Sequence, residues 1–277
     1  MAATVKQLVS SFEKLWPTNL AEEWDVVGLV SGSSSKTVRT VLLTVDVTKD
    51  VVEYAKSISA DLILAHHPLM LRGVTSVAED SSKGSIISEL IRADIALYSA
   101  HTNADSVDYG TSAVLAKALG LVDSKPLAPI SETLGIGQVG SLKNKVSLGE
   151  LASMLNSILP PTATGVRVAG EFNTQVQKIA LCAGAGDSYL EQALDSGADV
   201  YITSDLRHHR AQEVLELAKA KGVAFALVDI SHWAAEFVWL ETAKGQLQSS
   251  VPDINFEICD LRTDVFEFLM NKPKDNS

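Results

Sequence analysis

The chain has 277 residues, 46% hydrophobic and 21% charged, enough apolar material to bury a core and too much to leave the chain disordered; at about 150 residues per domain it predicts two modest domains or one large one. Twenty-three Lys and Arg against 34 Asp and Glu give a net charge of −11, and the one basic cluster is Arg207-His208-His209-Arg210, which argues against binding duplex nucleic acid. No apolar run approaches the ~18 residues of a membrane span, and two cysteines, Cys182 and Cys259, supply neither a disulfide scaffold nor a cysteine-rich zinc ribbon.

The first sixteen residues carry Lys6, Glu13 and Lys14 and no unbroken apolar stretch, so no signal peptide is expected and a reduced, cytoplasmic chain is. Val5, Leu8, Val9, Phe12, Leu15 and Trp16 follow helical spacing up to Pro17. Residues 40–47 (TVLLTVDV) predict a strand, 49–59 a helix and Leu62–Ala65 a short apolar strand, together a βαβ unit. A helix over 85–92, a strand over 95–100 and a helix from about Asp108 to Gly120 continue an α/β order. Residues 121–133 (LVDSKPLAPISET) predict a connection and a domain boundary. This gives a first α/β domain over 1–125, completed by 232–277, and a second over 126–231. In the second, Ser147 and Glu150 form a capping-box signature before a helix closed by Pro160-Pro161, and strands over 166–169 and 176–183 flank a turn.

The two halves resemble each other. Val41-Leu42-Leu43 lies against Ile179-Ala180-Leu181 at an offset of 138, and Glu53, Ala60 and Asp61 fall on Glu191, Ala198 and Asp199 at the same offset. Further on, His101 maps to His232 and Asp105 to Glu236 at an offset of 131. The expectation is an internal duplication of an α/β module. A shared hydrophobic pattern accounts for much of this, but not for the paired endings of histidine followed by an acid at the fourth position.

Those endings carry the chemistry. His66-His67-Pro68 follows an apolar strand, and in open α/β sheets functional groups are presented at the C-terminal strand ends. Extended neighbours point opposite ways, so both imidazoles serve one site only if the chain turns there. His101 with Asp105 ends another strand, and a helix would set His232 and Glu236 one turn apart on one face. Each pair alone reads as an ordinary structural contact. Six candidates together exceed a single zinc site and fit two divalent ions: Zn, Mn, Fe or Co by their nitrogen and oxygen donors. Such a centre lowers the pKa of a bridging water and supplies hydroxide for attack on carbon or phosphorus.

The segments EEWDVVGL (22–29), LTVDVT (43–48), LILAHHP (62–68), HTNAD (101–105), CAGAGDS (182–188), TSDLRHH (203–209) and DISHWAAE (229–236) resemble, in order, the motifs of the Nif-three-like family, also named GTP cyclohydrolase type-two-like. The resemblance spans about 5–265. It implies two related α/β domains with a di-metal site in the cleft between them, and ring-shaped homohexamers with the sites facing an internal cavity. It implies His66, His67, Asp105, His232 and Glu236 as metal ligands, with His101 beside them as a catalytic proton-transfer residue. Val26, Ser204, Ser231 and Trp233 depart from the residues usual in the family, and the large central insertion of some longer members is absent.

The implied function is a divalent-metal-dependent hydrolase acting on a small molecule such as a nucleotide, attacked at C8 if it is a purine. The alternative is a metal-binding, metal-delivering or adaptor protein. The stretch Gly184 to Ser188 reads as a tight strand-to-helix turn capped by Asp187 or Ser188, not a phosphate loop. His208 and His209 read as a solvated or subunit-facing patch, and Trp16, Trp24, Trp233 and Trp239 as core or interface residues. Asp46 and Thr48 read as caps of the following helix, with Asp46 also a possible partner of the histidines.

Overall fold

The amphipathic stretch at the start folds as the helix Val5–Leu15, opened by a Thr4/Gln7 capping box, with Val5, Leu8 and Phe12 on its buried face. This computed structural model describes residues 3–270, arranged as two compact units. The first comprises Met1–Val114, Pro129–Gly137 and Glu236–Thr263; the second comprises Leu115–Ala128, Gln138–Ala235 and Asp264–Ser277.

The first unit is built on a five-stranded sheet, in the order Asn255–Ile258, Thr40–Thr44, Leu62–Ala65, Ala96–Ser99, Gly28–Ser31. The first four strands run parallel and only the edge strand Gly28–Ser31 is antiparallel. Leu62–Ala65 and Ala96–Ser99 are buried throughout, as central parallel strands covered on both faces must be. Leu97 faces a cluster with Ile63, Val51, Val52, Ile87 and Leu90. Its neighbour Tyr98 points the other way, onto Phe12 (ring centroids 5.0 Å apart).

Register places the functional loops. Thr44 pairs with Ala65 and Ala65 with Ser99, so all three strands end level. The ladder continues past them: His66 N–H donates to Thr44 O (2.9 Å), His67 N–H to Val45 O (2.8 Å) and Ala100 N–H to Ala65 O (3.0 Å). Asp46, His66, His67 and His101 therefore leave the sheet at one edge.

The second unit has a six-stranded sheet in the order Val122–Pro129, Gly135–Ser147, Gln175–Ala185, Val200–Ser204, Ala226–Asp229, Arg167–Ala169. Its middle strands Gln175–Ala185, Val200–Ser204 and Ala226–Asp229 are parallel and antiparallel strands flank them. Leu151, Leu155, Ile179, Leu181, Ile202 and Val228 form its core. Each sheet contains the same turn. Asp61 Oδ2 accepts the N–H groups of Arg39 (2.7 Å) and Thr40 (3.1 Å), and Asp199 Oδ2 those of Gln177 (2.7 Å) and Lys178 (2.8 Å).

Several local expectations change. The segment expected to be a connection contains the strand Val122–Pro129; it lies at the sheet edge, where the missing N–H of Pro126 costs no ladder bond inside the sheet. The expected strand over 166–169 forms as Arg167–Ala169 and joins the sheet beside Ala226–Asp229. Neither Asp187 nor Ser188 caps a helix, because the strand runs on to Ala185 and an uncapped 3-10 turn, Asp187–Tyr189, follows. There Tyr201 O–H donates to Gly186 O (2.8 Å) and Asp187 pairs with Arg207. The helix expected from Asp108 covers Thr111–Leu119, ending at Gly120 with φ +81°. The Ser147/Glu150 capping box forms as expected. Both cysteines are buried and neither forms a disulfide among the described residues, and no helix among those residues is long and apolar enough to cross a membrane.

Candidate metal centre

His66 is the buried hub of the level strand ends. Its side chain is wholly inaccessible, and Nδ1–H donates to Ala100 O (2.9 Å). That bond fixes the tautomer and directs Nε2 at two carboxylates, Glu236 Oε1 at 3.4 Å and Asp105 Oδ1 at 3.7 Å. Nε2 is buried and has no hydrogen-bond partner. A buried ring nitrogen that makes no hydrogen bond yet sits beside two carboxylate oxygens is costly by itself, and the arrangement suits a cation held among them.

His67 turns toward the same place. Its Nδ1–H donates to Asp46 Oδ1 (2.7 Å), and Nε2 lies 2.9 Å from Glu236 Oε2. Burial pulls the His67 pKa down, but the Glu236 and Asp46 carboxylates outweigh it and hold the pKa up at about 10. For His66 the same contest, burial against Glu236 and Asp105, also ends with the pKa raised. Burial would raise the Asp46 pKa, yet its bond to His67 holds it below the usual carboxylate range.

His101 follows the next strand. Its Nδ1–H donates to Asp25 Oδ2 (3.0 Å), and that oxygen also accepts Thr102 N–H (3.1 Å) and Thr102 Oγ1–H (2.6 Å). Asp25 is buried, which raises its pKa, but these bonds bring it below the ordinary value. His66, His67 and His101 each have one ring nitrogen within 4.8 Å of the others, so the adjacent pair faces one locus. Asp105 closes the short helix Thr102–Asp105 and accepts a hydrogen bond from Thr111 Oγ1. Trp239 covers His66, with ring centroids 5.4 Å apart, and itself packs on Trp16.

His232 and Glu236 stand one turn apart on the helix His232–Phe237, as their spacing predicts. In the second unit His232 Nδ1–H donates to Asp205 Oδ2 (2.6 Å), from a residue at φ +56°. Asp25 and Asp205 escape the sequence reading as partners, although both lie inside the quoted motifs. Asp46 accepts from His67 while Thr48 alone caps the helix Lys49–Ser57. His208 and His209 are exposed on the first turn of the helix His208–Ala220. Trp16, Trp233 and Trp239 are buried, but Trp24 is 58% exposed, with its ring 5.9 Å from that of His101.

The donors, imidazole nitrogens and carboxylate oxygens without a thiolate, suit a transition-metal dication. Comparison with known proteins identifies the family. The chain is 40% identical over 247 residues to a Streptomyces coelicolor protein named GTP cyclohydrolase 1 type 2 homolog, covering 88% of this chain and 85% of that one. A Clostridium perfringens protein of the same name is 33% identical, with 96% and 99% covered. The crystal structure of a Bacillus cereus protein related to NIF3 superimposes with a TM-score of 0.89 at 27% identity, covering 96% of this chain and 99% of that one. Residues 3–265 match Duf34/NIF3 (NGG1p interacting factor 3), and the chain belongs to that family.

Proposed function

We propose that this chain is a divalent-metal-dependent hydrolase of the GTP cyclohydrolase type-two-like kind, acting on a nucleotide or a similar small molecule. His66, His67, Asp105, His232 and Glu236 would hold two cations. Bound there, the cations supply Lewis-acid activation of water for attack on an electrophilic carbon or phosphorus. The observation that carries the reading is the buried, unpartnered Nε2 of His66 set against the Glu236 and Asp105 carboxylates.

The chain's own groups divide the remaining work. Asp46 orients His67 and favours its charged form in the metal-free protein. Asp25 engages Nδ1 of His101, leaving Nε2 as the nitrogen that takes and returns a proton as general acid and base. Trp239 packs over His66 and keeps water from that side. The internal duplication belongs to the same proposal, supported by the matching Asp61 and Asp199 turns, as does assembly into a homohexamer.

The test is metal analysis of the purified chain with turnover assays on GTP and simple phosphoesters, for wild type and Glu236→Ala. Turnover and metal lost together in the variant support the hydrolase. Full metal occupancy without turnover over a broad panel favours metal binding, metal delivery or an adaptor role. Undiminished metal content in Glu236→Ala would overturn the ligand assignment.

A further inference from the structure

From 259 to 270 the described residues have no regular secondary structure, and from 260 to 270 every residue is exposed except Thr263 and Asp264. Each of these two makes a directed bond. Thr263 Oγ1–H donates to Asp46 Oδ2 (2.5 Å), while Asp46 Oδ1 receives Nδ1–H of His67 (2.7 Å). Thr44 Oγ1–H donates to the Asp46 carbonyl (3.0 Å), so the backbone and both carboxylate oxygens of Asp46 are engaged. Within the second unit, Asp264 Oδ2 accepts the Ser231 hydroxyl proton (2.5 Å), and Ser231 Oγ accepts the N–H of Ala234 (3.2 Å). A hydroxyl has one proton. With that proton drawn to Asp264, a lone pair of Ser231 is left for the first turn of the helix that carries His232 and Glu236.

We propose that Thr263 and Asp264 are positioning residues for the metal centre: Thr263 acts through Asp46 on His67, and Asp264 through Ser231 on the helix of His232 and Glu236. Docking of the C-terminal segment and metal binding then strengthen each other, because coupling between two binding events is reciprocal. The inference rests on the metal centre proposed above.

The test uses the full chain and Mn²⁺ alone as probe, with affinity read by competition against a chromophoric chelator. Thr263→Val removes the hydroxyl at nearly constant shape, and Thr263→Ser keeps it. The expected loss of affinity for Thr263→Val is several-fold, less than the roughly 10- to 100-fold for losing a direct partner of a ligand, with Thr263→Ser restoring it. The tail supplies a second readout that needs no turnover: Phe266 and Phe268 are 60% and 78% exposed, open to chymotrypsin. Saturating Mn²⁺ is expected to slow cleavage there several-fold in wild type and to lose that effect in Thr263→Val. Wild-type affinity in Thr263→Val, together with cleavage indifferent to Mn²⁺, would overturn the inference while leaving the metal centre standing. A wild-type chain that takes up no Mn²⁺, Zn²⁺, Fe²⁺ or Co²⁺ would overturn both.

Discussion

His66, His67, His101 and His232 share one arrangement: Nδ1 is engaged by an oxygen, from Ala100, Asp46, Asp25 and Asp205 in turn. Such outer partners fix ring orientation and raise ligand basicity. The histidines and the acids four residues after them were legible in the sequence because helical spacing is local. Asp25 was not legible as the partner of His101, 76 positions away, because only the sheet brings them together. At His67 the arrangement gives a pH dependence. With its folded pKa held near 10 against an ordinary 6.5, the group's stabilising effect on the metal-free protein is full below about pH 6.5 and is lost as pH rises through about 10. A metal ion must displace that proton, so binding at pH 7.5 is expected to release protons, measurable by calorimetry in buffers of different ionisation enthalpy. Asp46→Asn removes one of the two carboxylates responsible. It is expected to lower the His67 pKa in an NMR titration and to weaken metal binding about 10- to 100-fold. Unchanged values for both would show that Asp46 does not tune this imidazole.

At the scale of elements, sequence and structure part where tertiary pairing overrides local preference. Leu62–Ala65 was readable because a central parallel strand is apolar along its whole length. Gly135–Ser147 was not: its glycines, lysines and asparagine have low strand preference, and antiparallel pairing with Gln175–Ala185 holds it in the sheet. The helix His232–Phe237 poses the opposite problem. Six residues are too few to stay helical alone, yet Glu236 must be held with its side chain almost wholly buried. Ser231 Oγ, accepting Ala234 N–H, is the local brace. Ser231→Ala is therefore expected to cost about 0.5–2 kcal/mol in urea unfolding and to loosen the placement of Glu236. A loss well below that range would mean that packing alone sets this helix.

Over the whole molecule, the alternation of strands and helices predicted the class of fold, and the level strand ends of the first unit bring His66, His67 and His101 together. In the first unit Asp25, Asp46, His66, His67, His101, Asp105 and Glu236 come from segments spread over more than two hundred positions, and the level strand register and the turn into Glu236 assemble them. Unfolding scatters these donors, so a cation held by the assembled site binds the native state in preference to the unfolded one. At a free concentration 100 times its Kd it should stabilise the fold by about 2.7 kcal/mol. For a chain of this length that corresponds to a rise in Tm of roughly 5 °C. Residual affinity of the adjacent His66 and His67 in the unfolded chain makes this an upper figure. Differential scanning calorimetry with Mn²⁺ and then with excess chelator should show the rise and its reversal in wild type, and neither in Glu236→Ala. A shift of the same size in the variant would mean that the ion binds elsewhere, on the acidic surface that the net charge of −11 provides.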